Sequence, residues 1–279
     1  MKAFAESQTD WKKDSTEWIP VLDSIQDRVS RHVAHFSELY GISPLDLKLR
    51  VLLHLPRYWP EELENPDLIY KEIERLAAKR SELQRDFKDW ARQEPIDRLE
   101  KAKAYVSVVS DDTAAIIHEK FHYIGSSRSG RHFALHFVGQ QVPAALVSLS
   151  EMDVEKLKVH LPAPHAKRLL LLSRMYSFRW APRNSISYLL GMIGHWLKRE
   201  GQVESLVTWV NPNLGFHASS YRAANWSYLG CEPTIYRYIN ADYFTARQLF
   251  HRPHTPLLDI DTSKLRLAPL QVWHYRITR

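Results

Sequence analysis

The chain has 279 residues, with 38 Lys+Arg against 32 Asp+Glu, one cysteine, 15 prolines and 9 glycines. That length fits one large domain or two modest ones, and 44% hydrophobic with 11% aromatic residues is enough for a core, which excludes wholesale disorder. The lone Cys231 excludes a disulfide framework and any Cys-based zinc cluster; no apolar run approaches the ~18 residues of a membrane span, and residues 1–15 lack a signal peptide's apolar stretch. The expectation is a soluble, cytoplasmic chain with no membrane partner.

The net charge of +6 is uneven: residues 1–110 carry −2 and residues 111–279 carry +8. Residues 1–103 read as a helical N-terminal region, accessory or oligomerising. Trp18, Leu22, Ile25, Val29, Val33 and Phe36 recur at three- and four-residue steps, one stripe of a helix. Ser43-Pro44 offers an N-cap and a first-turn proline ahead of a helix over 45–55. Residues 67–93 predict one long amphipathic helix, with Ile69, Ile73, Leu76, Leu83, Phe87 and Trp90 on the seam and Arg80 interrupting it. An intrachain hairpin is the simplest use of that seam, and a homodimer through it stays open.

From residue 104 the texture changes, so 104–279 is expected to be a second domain. Strands are predicted over 105–109, 133–138, 144–149, 169–178, 205–210, 234–239 and 270–278, and helices over 113–123, 187–198 and 217–226. This order is α+β, with a mixed, mostly antiparallel sheet flanked by helices.

Two segments concentrate polar residues where strands meet helices. The first runs from strand 169–178 through Arg179-Trp-Ala-Pro-Arg-Asn-Ser-Ile-Ser187 into a helix. A helix N-terminus aims free N–H groups and a positive dipole end at one point, which suits an anion. Arg179 and Arg183 supply bidentate donors, and Asn184, Ser185 and Ser187 supply caps and hydrogen bonds. The stretch 164–200 is also the most basic, with seven Lys or Arg and one acid. The second segment is Asn211-Pro-Asn213 at a strand end, then Tyr221 and Trp226 around a short helix.

His118-Glu-Lys-Phe-His122 matches the H-E-x-x-H zinc motif, but the third-ligand position holds Arg128. With 14 histidines the match arises readily by chance. An auxiliary iron or zinc at His118 and His122 is left open. Tyr176-Ser-Phe-Arg-Trp180 and Tyr236-Arg-Tyr238 interleave aromatics with cations, which suits an extruded base and equally suits ordinary strands.

The strand–loop–helix followed by Asn213, Tyr221 and Asn225-Trp226 resembles the Gcn5-related N-acetyltransferase (GNAT) superfamily, although Arg183-Asn-Ser-Ile-Ser187 replaces its glycine-rich loop. The segments His122-Tyr-Ile-Gly125, Leu172-Ser-Arg-Met175, Ala181-Pro-Arg-Asn-Ser185, Asn211-Pro-Asn-Leu-Gly215 and Tyr221-Arg-Ala-Ala-Asn-Trp226 resemble the Mom family over about residues 113–262. That family consists of phage DNA-modification proteins on a GNAT-like fold. They convert adenine N6 to a carbamoylmethyl form and so block restriction enzymes.

The resemblance implies acetyl-CoA or another acyl-CoA as cofactor and DNA as partner. It implies Tyr221 as proton donor to the leaving thiolate, with Tyr123, Arg174 and His122 as active-site groups. Arg179, Arg183, Asn184, Ser185, Ser187 and Asn213 would bind the cofactor. Asn211 stands where the family is expected to carry an acid, and a neutral amide cannot act as a base. Two other functions remain open: a GNAT acyltransferase acting on an amine of a small molecule or protein, and a non-catalytic nucleic-acid-binding protein on the same scaffold.

Overall fold

A computed structural model describes residues 16–151, 168–245, 248 and 260–277. The N-terminal 15 residues, and Lys167 of the basic stretch, lie outside the described residues. Compactness divides the chain into two units, at other places than residue 103. One comprises residues 1–79, 211–216 and 230–271, the other residues 80–210, 217–229 and 272–279. Among the described residues no helix is long and apolar enough to cross a membrane.

The first unit opens with α1 (Trp18–Tyr40), which buries Trp18, Ile25, Val29, Val33 and Phe36 along the expected stripe. Gly41 ends it in the left-handed conformation that glycine tolerates best. Ser43 caps α2 (Pro44–His54), its hydroxyl accepting from the Asp46 N–H. Two further helices follow, α3 (Pro60–Leu63) and α4 (Pro66–Leu83). The seam residues Ile69, Ile73, Leu76 and Ala77 are buried within the chain, and Tyr70 meets Phe36 edge-on at 4.9 Å.

Glu72, also on α4, is the hub of a buried polar cluster. Arg75 reaches it at 2.8 Å, Arg57 at 3.2 Å and His54 at 3.5 Å. Burial alone would raise its pKa, but hydrogen bonds from His54 and Arg75 overcome this and hold it at about 2.

The single helix expected over 67–93 is not what forms. α4 stops at Leu83, and a tight turn leads to the short α5 (Lys88–Ala91). The reason lies in the side chains that end α4. Arg80 and Gln84 are buried, and they donate to the Glu119 and Lys120 carbonyls at 3.4 and 2.9 Å. Arg80 interrupts the seam, and its buried side chain donates to the Glu119 carbonyl.

The second unit holds most of a seven-stranded sheet of order β1-β2-β3-β4-β5-β10-β6. Its strands are β1 (Ala104–Val109), β2 (Arg131–Phe137), β3 (Ala145–Ser150), β4 (Leu169–Ser177), β5 (Ser205–Val210), β6 (Ser227–Glu232) and β10 (Leu270–Arg276). The pairs β1–β2, β2–β3 and β3–β4 are antiparallel, and β5 pairs parallel with β4. Besides α5, this unit holds α6 (Asp111–Ile116), α7 (Ser185–Glu200) and α8 (Ser219–Ala223). Leu169, Leu171, Val207 and Val272 form a buried cluster on the sheet. In the first unit β7 (Arg237–Ile239), β8 (Asp242–Phe244) and β9 (Asp261–Thr262) make a small separate sheet. The class is α+β, with a mixed, mostly antiparallel sheet flanked by helices.

β6, β8 and β9 have no counterpart in the sequence expectation. β6 has no fully buried residue and carries Gly230, so no apolar alternation marks it. β8 and β9 are three and two residues long, too short for periodicity to register.

Glycines give an opposed pair of predictions. A Cβ on Gly130 would lie 2.0 Å from the Leu149 carbonyl oxygen, whereas Gly191 on α7 has nothing within 4 Å. Gly130→Ala should cost about 2–3 kcal/mol in urea unfolding, and Gly191→Ala should gain about 0.5–1 kcal/mol.

Candidate active site

The site is set by strand register. His132 on β2 pairs with Ser148 on β3, and Ser148 pairs with Arg174 on β4. Side chains opposite one another in an antiparallel ladder project from the same face, so one row crosses three strands: imidazole, hydroxyl, guanidinium. A bulge between Ser148 and Leu149 shifts the register beyond this row.

The same unit contributes a turn of π-helix, Ile117–Phe121, which extends α6 and closes with the His122 N–H on the Ile117 carbonyl at 3.0 Å. A helix was expected over 113–123, and its wider last turn changes what H-E-x-x-H can do. His118 is fully buried while Glu119 is exposed, and His122 has already left the helix. π-turns recur at functional sites because they re-aim side chains.

The rings of His118 and His122 meet at right angles, 5.9 Å between centroids. His118 Nε2 lies 2.6 Å from Ser148 Oγ, and His122 Nδ1 accepts from the Ile124 N–H at 3.2 Å. One nitrogen of each ring is therefore committed inside the protein. Among the described residues no group of three or more His, Cys, Asp or Glu could hold a metal ion. The donor set does not fit the iron or zinc left open by the sequence, and no chemistry is derived through one.

Arg174 is anchored by its own neighbours. Nε donates to the Ser126 carbonyl at 3.2 Å, Nη2 to Ser126 Oγ at 3.1 Å and Nη1 to the Ser173 carbonyl at 2.7 Å. Tyr123 is half-buried and stacks on His122 at 4.2 Å. Burial and the Arg174 charge hold His122 well below the usual histidine range, with His118 and Arg80 adding to the effect. Burial, then Arg174 and His132, push His118 down to about 3. Both imidazoles are neutral bases at physiological pH.

Arg179 and Arg183 are exposed in the loop between β4 and α7, as is Asn184. Asn184 holds the N-cap of α7 in the left-handed conformation, without a side-chain cap bond. Its side chain is thus not spent on the helix. Ser185 is different: it is buried and donates to the Pro182 carbonyl at 2.7 Å, a structural bond. Ser187 is half-buried in the first turn, where no acidic side chain offsets the positive dipole end. The β4–β5 ladder is only three residue pairs long, and beyond it Thr208 Oγ1 donates to the Leu172 carbonyl at 3.0 Å.

Tyr221 is buried on α8, its ring 5.1 Å from Trp226, and it hydrogen-bonds to Thr208. Burial pushes its phenol up to about 12. It stays protonated across the physiological range, so it is a donor and never a base.

Asn211 and Asn213 lie in the first unit and form a clasp. Asn211 Oδ1 accepts from the Asn213 N–H and Nδ2 at 3.1 and 2.9 Å, and its Nδ2 donates to Tyr236 Oη at 2.7 Å. Asn213 exchanges two 2.7 Å bonds with the Ala268 backbone. Every polar atom of the Asn213 side chain is engaged there. Sequence reasoning missed Ser148, Asp111 and Thr208. Tertiary contacts rather than sequence spacing bring Ser148 to His118, Asp111 to His132 and Thr208 to Tyr221.

Neutral buried histidines predict acid sensitivity. An unfolded histidine takes its proton near 6.5, while His118 in the fold resists until about 3. The stabilisation from the neutral form is therefore full above 6.5 and is lost as pH falls from 6.5 towards 3. His54 in the first unit, held at about 4 mainly by burial, adds with the same sign. Unfolding free energy in urea should fall by roughly 1.4 kcal/mol per pH unit for each such histidine below pH 6. His118→Gln should reduce that slope, and an unchanged slope would contradict the assignment.

Comparison with known proteins gives the site its context. No curated protein is similar in sequence at a significant level. Among solved structures the chain is similar to an acetyltransferase of the GNAT family from Streptococcus pneumoniae, at 9% identity and TM-score 0.37, over 63% of this chain and 100% of that one. It is also similar to spermidine N-acetyltransferase from Vibrio cholerae, at 8% identity and TM-score 0.39, over 63% and 96%. A third similar structure is the ribosomal-protein-S18-alanine N-acetyltransferase from Escherichia coli, at 14% identity and TM-score 0.37, over 63% and 95%. The model of the Mom protein family matches residues 103–276, which include every residue of the row and the π-turn described above. The chain belongs to the Mom protein family.

Proposed function

We propose that this protein is an acyl-CoA-dependent DNA-modification enzyme that places an acyl-CoA-derived group on adenine N6, a carbamoylmethyl-type change that blocks restriction. The observation that carries the reading is membership of the Mom family over residues 103–276, which contain the buried histidines, Arg174, Tyr221 and the basic loop. In this reading residues 104–279 form the transferase domain and residues 1–103 an accessory region.

The cofactor side is assigned to the loop before α7. Arg179 and Arg183 are exposed beside a helix start with no first-turn acid, which favours the phosphates of coenzyme A. Asn184 and Ser187 add polar contacts there. Ser185 shapes the loop, and Asn213 acts through the clasp rather than by touching the cofactor. The acceptor side is assigned to His122, Tyr123 and Arg174. Arg174, fixed by three hydrogen bonds, presents a preorganised positive charge to a developing oxyanion. Tyr221, protonated at all working pH values, can donate a hydrogen bond to the departing sulfur. Proton transfer from it to a thiolate of pKa about 8.5 is uphill by roughly 5 kcal/mol, so hydrogen bonding is its effective role. Asn211 contributes no acid–base step.

Expression with a plasmid, followed by mass spectrometry of its nucleosides, should show a new adenine species; an unchanged adenine pool would contradict the reading. Calorimetry should detect acetyl-CoA binding, weakened roughly tenfold or more in Arg183→Ala. Binding of neither acetyl-CoA nor duplex DNA would dispose of both the enzymatic and the nucleic-acid readings. Acyl transfer to a small amine without salt-sensitive DNA affinity would favour an ordinary amine acyltransferase.

A further inference from the structure

The sheet edge formed by β1 lacks the devices that normally keep a strand edge from pairing. β1 stands at one end of the strand order, and among the described residues its sheet partner is β2. Its six residues, Ala-Tyr-Val-Ser-Val-Val, hold no charge, proline or glycine, and its register with β2 runs without a bulge. Charges, prolines and bulges are what blunt most edges. At the other end of the order, β6 closes on Glu232 and is followed by Pro233. Tyr105 and Val108 of β1 are 51% and 60% exposed, and Val138, opposite the residue before β1, is 71% exposed.

The register fixes which backbone groups face outward. The Val138 N–H donates to the Lys103 carbonyl at 2.9 Å, in phase with the ladder that runs from Ala104–Phe137 to Val109–His132. Bonded and non-bonded pairs alternate along an antiparallel ladder. Tyr105, Ser107 and Val109 therefore turn their N–H and C=O groups to β2, whereas Val106 and Val108 turn theirs away from it. The Ala104 carbonyl also points outward, while its N–H is spent on the Lys101 carbonyl. Ser107 Oγ lies 2.9 Å from His136 Nε2, and the Tyr105 ring stacks on the same imidazole at 5.0 Å. The edge is thus already ordered by β2, so a docking strand need not order it again.

Charge is arranged head to tail along this edge. Lys101 and Lys103 precede β1, Asp111 and Asp112 follow it, and all four are exposed. A parallel neighbour of the same sequence would set like charges side by side, whereas an antiparallel one sets lysine against aspartate. The strand is also complementary to itself. With a two-fold axis through Ser107, Val106 faces Val108 of the partner subunit, Tyr105 faces Val109 of the partner subunit, and Lys103 faces Asp111 of the partner subunit. Directly opposed residues share one face of the sheet, so each of these pairs can touch. Val106 and Val108 then exchange both their N–H and C=O groups across the axis. An axis through Val106 would instead set the engaged Ala104 N–H against Val108 of the partner subunit, and Lys103 against Val109 of the partner subunit.

We propose that β1 is a docking edge for a second copy of this chain, joined antiparallel about Ser107 so that two seven-stranded sheets become one. The contact runs about 20 Å along each strand. That is small for a stable interface and corresponds to a dissociation constant of about 1–100 μM. It also reaches the row described above: Asp111, whose Oδ1 lies 2.9 Å from His132 Nε2, gains Lys103 of the partner subunit as a neighbour. The pairing does not depend on which reaction the second unit performs.

The test uses the full chain. Sedimentation velocity from about 1 to 200 μM should show the 32.7 kDa chain giving way to a species of twice that mass. Val108→Lys, a change at an exposed position, sets like charges near the axis. It should raise the dissociation constant about tenfold or more with the circular dichroism spectrum unchanged. A crosslink reads the register. With the lone cysteine removed as Cys231→Ser, Ser107→Cys should oxidise to a covalent dimer, because a non-bonded pair brings Cα atoms to about 4.5 Å, within reach of a disulfide. Tyr105→Cys in the same background should not, because each copy stands about 14 Å along the strand from the other. A chain that stays monomeric at 200 μM would overturn the proposal. So would a dimer that Val108→Lys leaves as tight as the wild type, or crosslinking of Tyr105→Cys in place of Ser107→Cys.

Discussion

The alignment of His132, Ser148 and Arg174 across β2, β3 and β4 is the constraint on which the site depends. A one-residue slip of β3 would turn Ser148 to the opposite face and break the contacts to both histidines. The bulge after Ser148 and the close approach of Gly130 to the Leu149 carbonyl both fall at this end of the β2–β3 ladder. They pin the register where the chemistry needs it. Local irregularity here is part of how the sheet specifies one pairing.

The electrostatics of the site follow from that row. Its cationic member, Arg174, donates to the Ser126 carbonyl and hydroxyl and to the Ser173 carbonyl. Burial, then the Arg174 charge, keeps His118 and His122 neutral. The carboxylate of Asp111 stands at the exposed end, linked to His118 through His132 and Ser148. Such an arrangement favours a neutral base and a positively preorganised anion site in one place, which is the pairing that acyl transfer asks for.

Polar burial is handled by another device in the first unit. Asn211 and Asn213 satisfy one another, Tyr236 and the Ala268 backbone. Glu72 gathers Arg57, Arg75 and His54. The asparagine clasp is closed within the unit, whereas His54 Nε2 and Arg57 Nε of the Glu72 cluster are buried without a hydrogen-bond partner. Buried polar networks of this kind specify a unique packing when fully satisfied. They also explain why Asn residues that look like ligand contacts in the sequence serve the fold.

The sequence by itself determined the composition class, the first two helices, the order of most strands and the polar loop before α7. These rest on local rules: apolar periodicity, a serine cap, a proline in the first turn, β-branched runs. It also determined which residues carry the family pattern. The tertiary structure decided the rest. It ended α4 at Leu83, because Arg80 and Gln84 are drawn to the carbonyls of a π-turn far along the chain. It turned H-E-x-x-H into one fully buried histidine, one stacked histidine and an exposed glutamate, because the turn is wider than an α-helix. It joined Asp111, His132, Ser148 and His118, because strand register is a non-local property that no window of sequence contains. The net charge of +6 is a bulk property of the sequence, whereas the placement of Arg174 beside two neutral histidines is a product of the fold.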